Sequence, residues 1–310
     1  MNRVENWVEI KENEVEQILS KINVEWKVIS MEICPNGRRT TNYKVETGKE
    51  RVLLRIYPMN VNVSQKEIAI YQRLVGQLPV PKVYQSGLIE QGNSYIVMEY
   101  LEGVLLESML KYQEPCTESL FEQLGEILAI IHQESFEKEG ALNEKLEIEA
   151  GLPPILEWYT YFLNGIPGKK LGSEWKREIK RIIEMCGPDL QRMTEEFVLT
   201  HGDFRPANLL VSDDHVSGVL DWEFVLSAPR YFDIGQFIRE EESMTELRRR
   251  AFYRGYQKES KNRLPEDWER LARLMDLATM MSFLDRDKEI TELDQVMIER
   301  IKMNAMFVKR

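Results

Sequence analysis

The sequence predicts an α+β protein in two parts, a small lobe of antiparallel sheet followed by a larger helical lobe. Three observations carry this reading. Residues 27–57 and 83–100 contain short strand-like runs between turn-forming clusters. After Gly103 apolar residues recur at intervals of three and four, the period of an amphipathic helix. At 310 residues the chain is long enough for two core-bearing units, and no internal repeat or low-complexity tract is visible. The expected division is 1–99 for the first lobe, 100–103 for a hinge and 104–310 for the second.

The elements follow in order. Val15, Ile18, Leu19 and Ile22 share one helical face, so residues 1–22 end in a short helix. Strands are expected over 27–33, 42–46 and 52–57, separated by the turn formers Pro35-Asn36-Gly37 and Thr47-Gly48-Lys49. A helix over 64–77 has a capping-box pattern in Ser64 and Glu67 and an apolar face of Ile68, Tyr71, Leu74 and Val75; Pro79 and Pro81 end it. Two further strands occupy 83–87 and 94–100. Ser119 with Glu122 is the capping pair expected for a helix that buries Leu120, Leu124, Ile127, Leu128 and Ile131. Helical patterns recur near 154–165, 174–185, 244–260 and 265–284.

Composition excludes several classes. Hydrophobic residues make up 43% and charged residues 30%, the balance of a globular protein. No run approaches the roughly 18 apolar residues of a membrane span, and acids stand where a signal peptide needs an apolar stretch, so a cytoplasmic protein is expected. Cys34, Cys116 and Cys186 are widely spaced without a CxxC pair, and His132, His201 and His215 share no ligand spacing. Reduced structural thiols and no zinc site follow. A net charge of −11 opposes nucleic-acid binding and suits a cationic ligand.

The chemistry is concentrated in 201–224, His-Gly-Asp-Phe-Arg-Pro-Ala-Asn-Leu-Leu-Val-Ser-Asp-Asp-His-Val-Ser-Gly-Val-Leu-Asp-Trp-Glu-Phe. Asp203 precedes Asn208 by five positions, and Asp221 ends a second apolar run. Phosphoryl transfer from a nucleotide needs a carboxylate near the attacking hydroxyl and hard oxygen ligands for magnesium. In that scheme Asp203 is the catalytic base, and Asn208 and Asp221 hold the metal. Residues 209–211 and 216–220 would form a hairpin that brings Asn208 and Asp221 together.

This block resembles the signature of the aminoglycoside phosphotransferase and choline kinase group of small-molecule kinases, which share the protein-kinase-like fold. The resemblance runs from about 27 to 240. Arg38-Arg39-Thr40-Thr41-Asn42-Tyr43-Lys44-Val45 is similar to that group's nucleotide-binding loop, with Asn42 the residue of interest, and 53–57 to its third strand. It implies a phosphate-contacting role for Arg55, where kinases usually carry lysine, and a pairing of Arg55 with Glu67. Met98, Glu99, Tyr100 and Leu101 resemble the hinge that offers backbone groups to a purine. His201 and Asp233 would support the catalytic loop, and Glu223 is a candidate to touch the metal or the groups that hold it. ATP, with GTP not excluded, and Mg2+ are the implied cofactors.

Departures from protein kinases narrow the acceptor. Gly202 replaces the arginine of His-Arg-Asp, Trp222-Glu223 replaces Phe-Gly, and no Ala-Pro-Glu motif follows. A protein substrate is therefore not expected, nor is a nucleic-acid or membrane partner. The expected acceptor is a hydroxyl of a small cationic molecule such as an aminoglycoside, met by the acids 240–242, Asp285, Asp287 and Glu289 or stacked on Trp158, Tyr159, Tyr161 and Phe162. A choline, ethanolamine or homoserine kinase is the alternative. A nucleotide-binding pseudokinase is the alternative of a different class, opposed by intact Asp203, Asn208 and Asp221.

Overall fold

Alternating burial builds the first sheet. The computed structural model describes residues 7–35, 39–59, 63–239 and 244–309. Helix α1 (Glu12–Ser20) carries Glu12 and Glu14 in its first turn, where acids suit the helix dipole, and buries Val15, Ile18 and Leu19. It precedes β1 (Val28–Ile33), β2 (Thr41–Thr47) and β3 (Arg51–Ile56). In β2, Thr41, Tyr43, Val45 and Thr47 are buried on one face while the residues between them are half-buried. Helix α2 (Val63–Leu74) follows, then β4 (Val83–Leu88) and β5 (Ser94–Glu99), giving a wholly antiparallel sheet of order β1-β2-β3-β5-β4. One sheet face packs with α1 around Val45, Val52, Leu54 and Val97. The other contributes Ile96 and Met98, with Tyr71 and Leu74 of α2, to a core that continues into the helices.

The helical part begins after β6 (Val104–Leu105) with α3 (Leu106–Lys111) and α4 (Glu118–Ile131). The cap of α4 differs from expectation: Thr117, not Ser119, accepts the Leu120 amide at 3.2 Å. The helix starts two residues earlier than expected, and Asp214 bonds the Thr117 hydroxyl at that start. Next come the short strands β7 (Ser135–Phe136), β8 (Gly140–Leu142) and β9 (Ile148–Gly151). Helices α5 (Ile155–Asn164), α6 (Ile166–Met185) and α7 (Gly187–Met193) follow, α6 being broken at Gly172, so its second half is the segment read from sequence.

Strands β10 (Phe197–Thr200), β11 (Leu209–Ser212), β12 (His215–Val219) and β13 (Leu226–Ala228) frame the 201–224 block. Helices α8 (Tyr231–Ile238), α9 (Glu246–Glu259), α10 (Trp268–Leu284) and α11 (Glu292–Val308) complete the chain. The antiparallel sheet β7-β10-β13-β8-β9 and helix α11 were not anticipated. Strands of two to four residues are too short for periodicity to register. The β11–β12 hairpin is as expected, and β6 adds to its edge.

Some expectations fall outside the described residues: the Asn36-Gly37 turn, Arg38, the Ser64 side chain and the acids 240–242. Among the described residues no helix is long and apolar enough to cross a membrane.

Candidate active site

The loop that carries Asp203 and Asn208 is held at its base by one buried carboxylate. Asp233, in the first turn of α8, accepts the backbone N–H groups of His201 at 2.7 Å and Gly202 at 2.9 Å. Gln236, one turn later, donates to the Gly202 carbonyl at 3.0 Å. The ring of His132 closes the set, its Nε2 3.2 Å from Asp233 and its Nδ1 2.8 Å from the Tyr256 hydroxyl. A carboxylate accepts only, so the His132 proton belongs on Nε2. Burial pushes the His132 pKa down, and Asp233 offsets part of that.

Gly202 is dictated by space as well as conformation. Its φ is +83°, and a Cβ there would lie 2.2 Å from the Phe224 carbonyl oxygen. The glycine thus lets the loop press against the 222–224 turn, in addition to lacking the arginine of a protein kinase.

His201 joins the two halves of the block. Its Nδ1 accepts the Asp203 amide at 3.2 Å, which leaves Nε2–H to donate to the Leu220 carbonyl at 2.9 Å. Its ring packs on Trp222 with centroids 4.5 Å apart. Trp222 is fully buried and donates to the Val219 carbonyl at 3.0 Å. The Leu220 amide also bonds the Asn208 carbonyl at 2.9 Å, so Asn208 and Asp221 are brought close by backbone pairing.

The side chain of Asn208 donates to the Asp203 carbonyl at 2.9 Å and to Asp203 Oδ2 at 2.8 Å. Because Asp203 can only accept, the amide nitrogen faces it and the amide oxygen is turned the other way. Asp221 sits in the left-handed region, with φ 69° and ψ 61°, a conformation that carboxylate side chains tolerate better than most. Its side chain is 45% exposed.

Opposite Asp221 stands a charged network on β3 and α2. Arg55 pairs with Glu67, takes Asn42 Oδ1 at 3.1 Å through Nε, and lies 3.6 Å from Asp221. Asn42 and Arg55 are cross-strand partners, which is why the amide meets the guanidinium. Glu67 is fully buried and also accepts the hydroxyls of Tyr57 and, at 2.7 Å, Tyr71. Burial works against the Arg55 charge, and Glu67 outweighs it, so the guanidinium is held charged well above its ordinary pKa. Burial and the Glu67 charge push both tyrosines well up, keeping them donors. Glu67 therefore acts as an ion-pair hub.

Glu223 is partly buried, 3.5 Å from Arg39; burial and then the Asp221 charge raise its pKa. Lys66, next to Glu67, donates to the Val225 carbonyl at 3.3 Å and ties α2 to the turn after Asp221.

In the segment expected to form a hinge, Met98 is buried within β5, and the amides of Glu99 and Tyr100 bond to the Lys82 and Arg51 carbonyls. No hydrogen bond within the described residues takes the Leu101 N–H. Of the aromatics proposed to stack an acceptor, Tyr159 is core, its hydroxyl donating to the Leu274 carbonyl, and Phe162 is buried. Tyr161 is exposed and bonds Asp285. Two surface cavities, of about 520 Å³ between α9 and α10 and about 260 Å³ between α6 and α11, are lined by none of these residues.

Residues that sequence reasoning missed are Tyr57, Tyr71, Lys66, His132, Gln236 and Arg205, whose Nε lies 2.7 Å from Asp203 Oδ1. Only Tyr71 carried a local signal, one helical turn beyond Glu67. The others depend on contacts between distant segments, or, for Arg205, on the geometry of a turn.

Among the described residues no group of three or more His, Cys, Asp or Glu side chains is gathered as a metal would require. Asn208 and Asp221 offer an amide oxygen and a carboxylate. Such a pair fits magnesium, which takes few protein ligands and completes its shell with phosphate and water.

Comparisons with known proteins identify the family. The model of the phosphotransferase enzyme family, APH, matches residues 30–274. The homoserine kinase of Zymomonas mobilis subsp. mobilis is 23% identical over 236 residues, 74% of this chain and 70% of that protein. A putative aminoglycoside phosphotransferase from Ralstonia eutropha JMP134 superposes with a TM-score of 0.67 at 14% identity, over 97% of this chain and 99% of the other. A thermostable mutant of aminoglycoside phosphotransferase APH(4)-Ia, in ternary complex with AMP-PNP and hygromycin B, gives 0.67 at 14% identity over 94% and 98%. The chain belongs to the phosphotransferase enzyme family: it is a small-molecule kinase of the protein-kinase-like fold, with a hydroxyl group as acceptor.

Proposed function

We propose that this protein moves the γ-phosphoryl group of ATP, or of GTP, to a hydroxyl of a small cationic molecule of the aminoglycoside type. The observation that carries the reading is the Asp203–Asn208 pair, tied through the Asn208 carbonyl and His201 to Leu220 beside Asp221. The site then lies where residues 1–99 meet 104–310 across the hinge 100–103.

Asp203 accepts the hydroxyl proton and orients the attacking oxygen. Asn208, by holding Asp203 Oδ2, fixes the carboxylate rotamer. Arg55 meets nucleotide phosphate, and Asn42 and Glu67 hold its fork in place. The Leu101 N–H is the hinge donor open to a purine. Magnesium, held by Asn208 and Asp221, would supply charge neutralisation on the phosphate oxygens. Asp233 and His201 keep the loop in register, and Glu223 stands behind Asp221.

A cationic acceptor is supported by the net charge of −11, by exposed Tyr161 with Asp285, and by structural neighbours solved with hygromycin B and with spectinomycin. A homoserine-type amino alcohol is the second reading, favoured by the homoserine kinase relative. The deciding experiment follows γ-labelled ATP and GTP with a panel of aminoglycosides, choline, ethanolamine and homoserine. Transfer to an aminoglycoside is expected. Transfer to homoserine alone selects the second reading, and nucleotide binding without transfer to any of these compounds contradicts both.

A further inference from the structure

Helix α9 has two unlike faces. Ala251, Phe252, Gly255 and Tyr256 are buried, and a Cβ at Gly255 would lie 1.9 Å from the Glu122 carbonyl oxygen of α4. The other face carries Arg249, Arg250, Tyr253 and Arg254 and forms one wall of the cavity of about 520 Å³. Trp268 and Glu269, in the first turn of α10, form the facing wall. The volume falls within the roughly 300–1,000 Å³ of small-molecule sites. No residue of the candidate active site lines it.

The cavity is cationic and aromatic on a chain whose net charge is −11. Among the described residues, three guanidinium groups and two carboxylates line it. Glu269 is already committed, because it holds Arg249 at 3.2 Å and the buried Arg273, behind the wall, at 3.2 Å. Glu246 pairs with Arg250 one turn away, and both side chains are 69% exposed, so water keeps that pair weak. Arg254 reaches Glu118 at 3.1 Å and Glu122 at 3.6 Å on α4. Each guanidinium has five N–H donors, so these pairs orient the arginines without using all of their donors. Tyr253 and Trp268 stack within 16° of parallel, ring centroids 5.8 Å apart, and give the cavity a flat side.

We propose that this cavity is a second ligand site, which takes a small phosphate monoester with a flat unsaturated body. Three guanidinium groups match the three terminal oxygens and roughly two negative charges of such a phosphate. A carboxylate offers fewer oxygens and half the charge. The Tyr253–Trp268 side takes the flat body by stacking. A cation is repelled by the arginines, and a neutral aromatic leaves their donors unused. The site is separate from the nucleotide and the acceptor of the proposed reaction, and it stands whether or not that reaction is the right one.

The test is calorimetric titration of the full chain with phenyl phosphate, in AMP-PNP and magnesium so that a nucleotide cleft is filled. Benzoate, phenol and inorganic phosphate are titrated in parallel. Phenyl phosphate should bind about tenfold tighter than any of these three. Arg250→Gln and Arg254→Gln should each weaken it about tenfold, and Tyr253→Leu about fivefold, with thermal midpoints near that of wild type. Arg181→Gln, at an exposed position on α6, should leave the affinity unaltered. Equal affinity in wild type and both cavity arginine variants overturns the site, as does the absence of binding. Benzoate or phenol binding as tightly as phenyl phosphate overturns the phosphate assignment.

Discussion

Asn208 donates its amide hydrogens to both the backbone carbonyl and the carboxylate of Asp203, five residues earlier in the chain. The bond locks the rotamer of the acid and at the same time aims the amide oxygen away from it. One side chain thus positions the two groups proposed as base and metal ligand.

Replacing Asp203 by Asn keeps the shape of that pair and removes the proton acceptor. Turnover should fall by about 10²–10⁴-fold, the usual worth of a positioned base. ATP affinity should change by less than about threefold, since in the proposed mechanism Asp203 meets the acceptor and not the nucleotide. Activity within a few-fold of wild type would reassign the base.

Asp221→Asn leaves the left-handed turn intact, because Asn tolerates that conformation. It removes a charge from the proposed metal site. The magnesium concentration for half-maximal activity should rise by about tenfold or more, with the melting temperature nearly unchanged. An unaltered magnesium dependence would exclude Asp221 as a ligand.

Glu67→Gln leaves Arg55 in a buried position without its main counter-charge. Removing one partner of a buried pair costs about 3–5 kcal/mol. Asp221 at 3.6 Å and Asn42 at 3.1 Å from Arg55 place the expected loss at the low end, about 3 kcal/mol, read from urea midpoints. A loss below about 1 kcal/mol would mean that the tyrosine hydroxyls, not Arg55, sustain Glu67.

The pH dependence of stability should report His132. Its pKa is lowered by burial, against the pull of Asp233 and with Arg230 adding to the depression. The unfolded chain therefore takes up the imidazole proton first, near pH 6.5, as pH falls. The stabilising contribution is fully present above that value and is lost as pH falls toward the folded pKa. Glu139 acts in the opposite sense, because burial raises its carboxyl to about 7. The difference between wild type and His132→Gln removes that background: it should shrink between about pH 7.5 and about pH 5.5. A difference that is constant with pH would show that His132 does not titrate in this window.

The 201–224 block was legible because its candidate chemistry is local. Asp203, Asn208 and Asp221 lie within nineteen positions of one another on a loop and a hairpin whose apolar arms and turn can be read directly. Strand and helix periods likewise located the five strands of the first sheet and most long helices. The cap of α4, the second small sheet, and the residues Tyr57, Lys66, His132 and Gln236 left no periodic trace. Each is specified by a partner far away in sequence, as Thr117 is by Asp214 and His132 by Asp233.

By itself, then, the sequence determined the strands of the first sheet, most of the long helices and a set of groups suited to phosphoryl transfer, since propensity and motif spacing act over a few residues. The tertiary structure decided how those groups are deployed. Glu67 reads as a helix-start acid from its spacing alone, and the pairing with Arg55 that the resemblance implied forms when α2 packs on the sheet. Gly202 reads as a missing arginine and proves to be the only residue that fits beneath Phe224. Arg205 reads as an unremarked cation until the 206–208 turn sets its Nε beside Asp203 without a hydrogen bond. Burial and charge pairing are sums over neighbours that folding assembles, and those sums set the role of each side chain.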